Sequence, residues 1–385
     1  MFDIVVRSDA LSEDTMPRPL NILFPYTGDS VGGSHISSLL LARALREGGH
    51  NVTLGLHRGV GALVDRLAAE NEPWVPLPDV EAPKLRAAWR SALARRRTRR
   101  GLAEWLRAHR FDIVHTHDMR NHLIWNAADG PAHVWHQRTP ASGKHMTNWG
   151  LRAAAFIAVS RFTLQSLPEA LQGHARMIYN PFLPQQPASE EARAALCAAL
   201  GVAPGTAVVG YVANFSDRKR PELFVEIAAH VRAVHPGPLV FPMYGALHEP
   251  FLGRVKARIA KLGLGDAVRL IGPQAPFGPV MAGFSALVAP ARNEALGRTL
   301  IEAGLAGVPL IATREGGNTE IVEDGVTGHL VPPDDVEGFA RAVLEVLSNP
   351  AESAARCAAA RARCERLFSL GAHVSAIEAV YDEII

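Results

Sequence analysis

Short apolar runs alternate with amphipathic segments through the first half of the chain. The apolar run 19–28 ends in a turn and predicts a buried strand, and the segment that follows repeats its apolar residues at helical spacing. Ser34 is the predicted N-cap of that helix, and Gly48 with Gly49 is its predicted end. The run 51–56 predicts a second strand. Strand, helix and strand in this order are typical of a parallel sheet covered by helices on both faces.

The same alternation continues and then restarts after a polar, proline-rich segment at 182–191, which is the predicted domain boundary. We therefore expect an α/β chain of two doubly wound, parallel-sheet (Rossmann-like) domains, 1–183 and 184–365, followed by a C-terminal helix at 366–385. In such sheets ligands bind outside the carboxyl ends of the strands, so two facing domains would place the site in the cleft between them. Further strands are predicted at 111–117, 132–137, 154–160, 207–215, 239–245, 268–272, 286–290, 309–313 and 328–332.

Composition narrows the class of protein. The 385 residues are 48% hydrophobic and carry a net charge of +2, which is ordinary for a globular protein and gives no reason to expect a nucleic-acid partner. Three cysteines (Cys197, Cys357 and Cys364) form no CxxC pair, so we expect neither a disulfide framework nor a zinc site. No apolar run approaches the roughly 18 residues that cross a bilayer, and the start lacks a signal-peptide pattern. We expect a cytoplasmic protein and assign no role to residues 1–15.

One segment, 84–110, is strongly basic. It contains ten lysines and arginines and one acid, Glu104, with apolar residues interleaved. One interpretation is a basic amphipathic helix that lies on anionic lipid, which would make the protein peripheral to a membrane. The other is a solvated helical face whose apolar side packs on the first domain.

Two glutamates, Glu294 and Glu302, follow the predicted strand 286–290, and a helix is predicted to start near Gly297 or Arg298. The free N–H groups at a helix start suit a phosphate. A carboxylate beside a phosphate must bind something else, and vicinal hydroxyls fit because an ionised carboxylate accepts two hydrogen bonds. A nucleotide sugar has that shape. The alternative is that Glu302 only complements the helix dipole and Glu294 is an incidental loop acid.

The segment 293–335 resembles the donor-binding region of the retaining glycosyltransferases of the GT4 group, which have the GT-B fold. It carries their E-x7-E pattern as Glu294 and Glu302, followed by an apolar-Gly-x-Pro motif and a Gly-Gly pair. The stretches "GGSHISSLLLARALREGGHNVTL", "FDIVHTHD" and "RLFSLGAHVSAIEAVYDEI" resemble further parts of that family. The resemblance covers nearly the whole chain and implies that the C-terminal helix packs back on the first domain.

The resemblance implies roles for the donor loop. Glu302 would bind the nucleotide ribose, Glu294 the hydroxyls of the donor sugar, and the backbone of Leu296 and Gly297 the diphosphate. It also implies a retaining reaction that needs no metal or other cofactor, and the chain contains no Asp-x-Asp metal motif.

Basic residues are expected on the donor phosphates after the first strand of the second domain. Lys219 matches the family lysine and would stabilise the leaving group, but the position of the usual arginine is Asn214. Arg218 or Arg220 could substitute, although arginine and lysine positions are not interchangeable.

The first domain contributes weaker candidates. Gly32 and Gly33 open the first helix, where the lack of a side chain would let a ligand approach the backbone, although they could also serve the turn alone. His136 matches a family histidine near the reacting sugar, and His117 with Asp118 matches the acceptor side. Farther along, Glu320 is predicted to be a structural acid at a helix start.

We therefore expect a hexosyltransferase that moves a sugar from a nucleotide-diphosphate sugar to a carbohydrate or lipid-linked acceptor in envelope lipopolysaccharide or polysaccharide synthesis. Two alternatives stand beside it. One is a non-hydrolysing sugar-nucleotide epimerase, which shares the two-domain architecture. The other is a catalytically inactive sugar-nucleotide-binding scaffold, against which the retention of Lys219 and both glutamates argues.

Overall fold

The computed structural model describes residues 18–29, 31–79, 91–126, 128–140, 144–274 and 277–385. Residues 1–15, to which the sequence assigned no role, lie outside the described residues, and so does the part of the basic segment before Ser91.

The first domain is built on a parallel sheet of seven strands in the described part of the chain, in the order β3-β2-β1-β4-β5-β6-β7. The strands are β1 (Asn21–Tyr26), β2 (Asn51–Leu56), β3 (Trp74–Pro76), β4 (Ile113–Thr116), β5 (Ala132–Gln137), β6 (Ala155–Ala158) and β7 (Ala175–Met177). Its helices are α1 (Gly33–Glu47), α2 (Ala62–Ala69), α3 (Ser91–His109), α4 (Met119–Trp125), α5 (Lys144–Gly150), α6 (Arg161–Ser166) and α7 (Glu169–Gln172).

The second domain repeats this plan with a parallel sheet of six described strands, in the order β10-β9-β8-β11-β12-β13. The strands are β8 (Ala207–Val212), β9 (Leu239–Tyr244), β10 (Val268–Gly272), β11 (Ala286–Ala289), β12 (Leu310–Thr313) and β13 (His329–Val331). The helices are α8 (Glu190–Leu200), α9 (Pro221–Val234), α10 (Phe251–Lys261), α11 (Gly278–Met281), α12 (Arg298–Ala306), α13 (Asn318–Ile321), α14 (Val336–Ser348) and α15 (Pro350–Leu367), and α16 (Leu370–Ile384) ends the chain. The predicted fold class, two doubly wound parallel sheets, is confirmed.

The start of α1 differs from the prediction. The helix begins at Gly33, with Gly32 rather than Ser34 as its N-cap. His35 explains the difference, because its Nδ1 accepts a hydrogen bond from the backbone N–H of Gly32 and so supplies the capping acceptor from within the helix. The assignment of Ser34 as N-cap was therefore wrong.

The last helix, α16, packs on the first domain rather than on the second. It contacts α1, and its residues Ile377, Val380 and Tyr381 belong to the first-domain core. The helix before it, α15, packs on α12 of the second domain. The chain therefore returns to its first domain near Phe368, where Phe182 donates a backbone hydrogen bond to the Phe368 carbonyl.

A carboxylate of the second domain caps a helix of the first. Glu320 lies in the first turn of α13, and its oxygens accept hydrogen bonds from the N–H groups of Arg161 and Phe162, both at 2.8 Å. The hydroxyl of Tyr179 donates to the same carboxylate at 2.9 Å. Glu320 is thus a structural acid at a helix start, but the helix is α6, which lies across the domain boundary.

The described part of the basic segment packs on the first domain. Leu102 and Leu106 of α3 are buried in a cluster with strand residues, and Trp105 packs against them. Arg100 and Arg107 of the same helix are exposed to solvent. Among the described residues, no helix combines the length and hydropathy that crossing a membrane requires.

Candidate active site

A cavity of about 1050 Å³ opens between the two domains, at the carboxyl ends of both sheets. Parallel strands of a doubly wound sheet place their loops at this edge, where ligands bind. Loops of both domains line the cavity, so it has a first-domain wall and a second-domain wall.

The second-domain wall contains an acid shared by two cations. Glu294 follows β11, while Arg218 and Lys219 lie in a 3-10 turn, Asp217–Lys219, that follows β8. Arg218 donates from its NH1 atom to Oε2 of Glu294 at 2.6 Å, and Nζ of Lys219 donates to the same oxygen. Glu294 is 8% exposed, so these partners neutralise a nearly buried charge. All three residues line the cavity.

Backbone contacts hold Glu294 in this position. The N–H of Gly317 donates to the Glu294 carbonyl at 2.8 Å. A Cβ on Gly317 would lie 2.3 Å from the Ala295 carbonyl oxygen, so only glycine allows the two loops to approach this closely. The Gly-Gly pair of the sequence motif therefore positions the acid loop.

The start of α12 lies beside this cluster. Gly297 is its N-cap and Arg298 its first residue, as the sequence predicted, and Leu296 and Thr299 line the cavity. The first N–H groups of a helix have no partner within the helix and carry partial positive charge. An anion at this end of the cavity would therefore meet both the helix amides and Lys219.

Glu302 is held by a partner that the sequence did not reveal. Its Oε1 accepts a hydrogen bond from Arg298 at 2.8 Å, its side chain is about 24% exposed, and it is not among the residues that line the cavity. Burial raises the pKa of Glu302.

Arg298 connects the two domains. Its NH1 atom donates to the Ser37 hydroxyl of α1 at 2.8 Å, and its guanidinium lies 4.5 Å from the ring centre of Phe182. A Cβ on Gly33 would lie 2.5 Å from Cδ of Arg298. Gly33 lines the cavity, but the group that approaches its backbone in this structure is Arg298, and donor binding at Gly33 stays a prediction.

The two arginines that could replace the missing family arginine differ in position. Arg218 lies in the cavity, whereas Arg220 has a left-handed backbone (φ 53°) and pairs with Asp334 at 2.5 Å, away from the lining. The structure therefore does not bring Arg220 to the site. Asn214 lines the cavity, and its Oδ1 accepts a hydrogen bond from the N–H of Ala246 at 2.9 Å.

On the first-domain wall, His117 and Asp118 line the cavity but His136 does not. Asp118 is the N-cap of α4, and its carboxylate accepts from both the backbone and the side chain of Asn121. His136 is fully buried one position before the end of β5. The structure therefore does not bring His136 into contact with the cavity. Gly32 is the N-cap of α1.

Arg138, which the sequence analysis missed, lies between the two histidines. Its NH2 atom donates to Nδ1 of His117 at 3.1 Å and to Nδ1 of His136 at 3.3 Å. Two further bonds complete the network. The Tyr381 hydroxyl contacts Nδ1 of His115 at 2.6 Å, and Nε2 of His115 contacts Nδ1 of His136 at 3.2 Å.

These contacts bear on a cluster of three histidines that could hold a metal ion. Ligand atoms of His115, His117 and His136 lie within 4.8 Å of one another. The Arg138 guanidinium occupies the Nδ1 atoms of two of them, and its charge would repel a cation. Burial and the charge of Arg138 lower the pKa of all three histidines well below the usual range. The cluster is therefore suited to neutral hydrogen bonding rather than to metal binding, and the absence of a metal requirement stays a prediction.

Comparison with known proteins identifies the family. The model for glycosyl transferases group 1 matches residues 194–363, and the model for glycosyltransferase family 4 matches residues 31–185. The chain belongs to these GT4-type glycosyltransferases. Between them, the two matches account for most of both domains.

Curated relatives of the chain are glycosyltransferases named for different activities. The chain is 28% identical over 320 residues to the lipopolysaccharide core biosynthesis mannosyltransferase LpsB of Rhizobium meliloti, covering 74% of this chain and 87% of that relative. It is 35% identical over 163 residues to a D-inositol 3-phosphate glycosyltransferase of Nocardia farcinica, covering 41% of this chain and 36% of that relative.

Solved structures of glycosyltransferases share the fold. HepE of Anabaena in complex with UDP and glucose has a TM-score of 0.77 at 21% identity, covering 94% of this chain and 99% of that one. The lipopolysaccharide outer core galactosyltransferase WaaB has a TM-score of 0.71 at 18% identity, covering 94% and 100%. The fold is GT-B.

Proposed function

We propose that this glycosyltransferase is a retaining, metal-independent enzyme that uses a nucleotide-diphosphate sugar. The observation that carries the proposal is the second-domain wall, where Lys219, Arg218 and Glu294 form one ion cluster next to the start of α12. Cations and free helix amides bind a diphosphate, and a carboxylate binds sugar hydroxyls. The cluster therefore offers both halves of a nucleotide sugar a partner within one cavity.

Donor binding would exchange partners in the cluster. The diphosphate takes Lys219 and Arg218 from Glu294, which then accepts hydrogen bonds from the hydroxyls of the donor sugar. Glu302 binds the ribose hydroxyls in the same way. Its second oxygen can accept their hydrogen bonds directly, and Oε1 can do so once Arg298 shifts. Each acid thus keeps a hydrogen-bonding partner with and without the donor.

Transfer requires the departure of a diphosphate. As the bond between the anomeric carbon and the phosphate oxygen breaks, negative charge develops on the leaving group, and Lys219 and the α12 amides stabilise it. The acceptor hydroxyl attacks from the same face of the sugar, and its proton passes to an oxygen of the leaving phosphate. The new glycosidic bond keeps the anomeric configuration, and no nucleophile from the protein is needed.

The first-domain wall would receive the acceptor. His117 and Asp118 line the cavity on this side. We assign His136 a positioning role, because it is buried and contacts Arg138 rather than the cavity. The relatives that act in lipopolysaccharide synthesis favour an envelope glycan as the acceptor.

A membrane-surface acceptor remains a proposal for the basic segment 84–110. Because the apolar side of its described part packs on the first domain, only the basic face is left for anionic lipid. Sedimentation with vesicles that contain anionic lipid should recover more protein than sedimentation with neutral vesicles. Equal recovery would contradict lipid contact.

Proton NMR of the reaction tests the function. Mannose- and glucose-bearing nucleotide sugars are the first donors to try, because two relatives are mannosyltransferases and HepE was crystallised with UDP-glucose. We expect an acceptor-dependent product whose anomeric configuration matches that of the donor. An inverted product would contradict the retaining mechanism. A new nucleotide sugar that forms without an acceptor would instead indicate an epimerase.

A further inference from the structure

Arg138 is a buried cation at the edge of the cleft. It directly follows β5, is 8% exposed, and lines the interdomain cavity. Its NH1 atom donates to Oδ1 of Asn180, and its NH2 atom donates to His117 and His136. Its Nε atom is buried and has no partner among the described residues.

The partners of Arg138 among the described residues are all neutral. An arginine has five N–H donors, and the amide and two imidazoles named above account for three of them. No carboxylate of the described residues lies within ion-pair distance of the guanidinium. Burial lowers the pKa of Arg138 to about 9, which reflects the cost of a charge without a counter-charge.

The acid on the same wall of the cavity does not supply the missing charge. Asp118 lines the cavity, but its two oxygens accept hydrogen bonds from Asn121 at the start of α4, at 3.0 and 2.7 Å. Asp118 therefore serves as a helix cap. A nearly buried arginine that lines an open cavity and has two N–H donors without an acceptor among the described residues is arranged to receive an anion from outside the protein.

Neighbouring side chains add hydrogen-bond donors to the part of the cavity next to Arg138. Asn180 lines the cavity, its Oδ1 is taken by Arg138, and its Nδ2 donates to no described residue. His117 accepts from Arg138 through Nδ1, so its proton lies on Nε2, which also has no partner among the described residues. Arg138, Asn180 and His117 thus combine one positive charge with unused N–H donors.

We propose that Arg138, with Asn180 and His117, binds an oxyanion carried by the acceptor, either a carboxylate or a phosphate. This inference rests on the proposed function, because it assigns the acceptor to the first-domain wall. The acceptor is then an acidic or phosphorylated sugar rather than a neutral one. The anionic group docks on Arg138, and the reacting hydroxyl points toward the second-domain wall.

The donor diphosphate is the competing occupant, and charge argues against it. The second-domain wall already offers Lys219, Arg218 and the start of α12 to the donor. Arg138 lies on the opposite wall and is fixed there by Asn180 and two histidines of the first domain. An anion on the acceptor, in addition to the donor diphosphate, would supply the counter-charge for Arg138.

Thermal unfolding with simple anions tests the proposal without any turnover. Inorganic phosphate and acetate are compared with chloride at equal ionic strength, on the wild type, Arg138→Gln and Lys219→Met. A ligand that binds only the folded protein raises the melting temperature, by about 1 °C for each kcal/mol of binding when both domains unfold together and by up to about 3 °C when one domain unfolds alone. Arg193→Gln, which removes a partly exposed arginine that pairs with Glu190, is the matched control.

We expect phosphate or acetate to stabilise the wild type, Arg193→Gln and Lys219→Met, and to stabilise Arg138→Gln clearly less, because only the second-domain wall is then left to bind the anion. Stabilisation by phosphate alone assigns a phosphorylated acceptor, and stabilisation by acetate assigns an acidic sugar. An equal shift in Arg138→Gln, a loss in Lys219→Met instead, or no shift with either anion would overturn the proposal.

Turnover separates this inference from the proposed function. With an acceptor that carries the acid group and its neutral analogue, the wild type should prefer the acidic form by about tenfold or more. Arg138→Gln should abolish that preference and leave the KM for the donor within about twofold, while Arg138→Lys should restore part of the preference. If transfer proceeds with equal preference for both acceptors, the inference fails and the glycosyltransferase assignment stands. If no nucleotide sugar reacts, the proposed function fails, and the anion measurement still decides the role of Arg138.

Discussion

The two walls of the cleft carry positive charge in opposite ways. On the second-domain wall, Lys219 and Arg218 share one oxygen of Glu294, so the two cations already have one counter-charge before any ligand binds. On the first-domain wall, Arg138 is buried among neutral imidazoles and an amide. A partly neutralised cluster exchanges one anion for another, whereas a cation without a counter-charge gains its first one on binding. In the proposed function the walls therefore bind different anions, the donor diphosphate on one and an acidic acceptor on the other.

The largest effect should come from Lys219→Met. The charge on Lys219 matters most when the diphosphate departs, so kcat should fall by about 100- to 1000-fold while the KM for the donor changes little. Steady-state kinetics with varied donor measure both constants. Lys256→Met, at an exposed position of α10, is the control and should keep the activity of the wild type. If Lys219→Met keeps the kcat of the wild type, Lys219 does not take part in the chemical step.

Acid should destabilise the first domain more than the second. Burial lowers the pKa of eight histidines in or packed on the first domain, including His35 and His57. The shift is largest for six of them, and for His133 and His373 the pKa falls to about 3. The unfolded chain takes up protons as the pH falls below about 6.5 while the folded domain does not, so stability is lost from there toward the folded pKa values, by about 1.4 kcal/mol per histidine and pH unit. The other four are His115, His117, His122 and His136.

Tryptophan fluorescence reports this loss selectively, because all six tryptophans precede residue 150. Urea unfolding at pH 7.5 and pH 5.5 should show a large drop in the midpoint for the tryptophan signal. Hydrogen exchange of peptides from β11 and β12 serves as the internal control for the second domain. Equal midpoints at the two pH values would show that the buried histidines take up protons in the folded state.

Glu302→Gln should weaken donor binding by about 10- to 100-fold, because neutral hydrogen bonds to the ribose replace charge-assisted ones. Isothermal titration with the donor measures the change. In the wild type, affinity should also fall as the pH is lowered toward the raised pKa of Glu302, since the protonated carboxyl loses acceptor strength. In Glu302→Gln, donor affinity should not show this dependence on pH. Glu365→Gln, at an exposed position of α15, is the control. Unchanged donor affinity in Glu302→Gln would show that another residue binds the ribose.

The smallest effect is expected for Gly33→Ala. An added Cβ would overlap Arg298, which must move and strain its bonds to Ser37 and Glu302. Donor affinity should fall by about fivefold, which is about 1 kcal/mol and the lower end of the range typical of overpacking. Gly371→Ala, in the first turn of α16 with open space around it, is the matched control. Equal affinity in both variants would show that Arg298 does not couple the domains to the donor site.

The sequence predicted the sheets well because strands buried on both faces leave continuous apolar runs. Strands β5 and β9 match the predicted runs closely. The edge strand β3 was missed, since Trp74–Pro76 is too short to leave a pattern. The N-cap of α1 was misplaced because an imidazole, rather than a hydroxyl, supplies the capping acceptor.

Site residues were predictable where they stand at the carboxyl end of a strand or the start of a helix, as Glu294 and Gly297 do. The direction in which a side chain points was not predictable from the sequence. Successive residues of a strand face opposite sides, which buries His136, and the left-handed backbone of Arg220 turns it toward Asp334. Arg138 directly follows the same strand, and that position was the one signal that could have revealed it.

Turnover in the presence of a metal chelator tests the central claim most directly. Wild-type protein, a nucleotide sugar that raises its melting temperature and an acceptor are mixed with excess EDTA, and released nucleoside diphosphate is measured. We predict release at the rate seen without EDTA, and a rate lower by about 100-fold or more in Lys219→Met. Release that stops with EDTA and returns with a divalent cation would contradict a leaving group stabilised by Lys219 and the start of α12 alone.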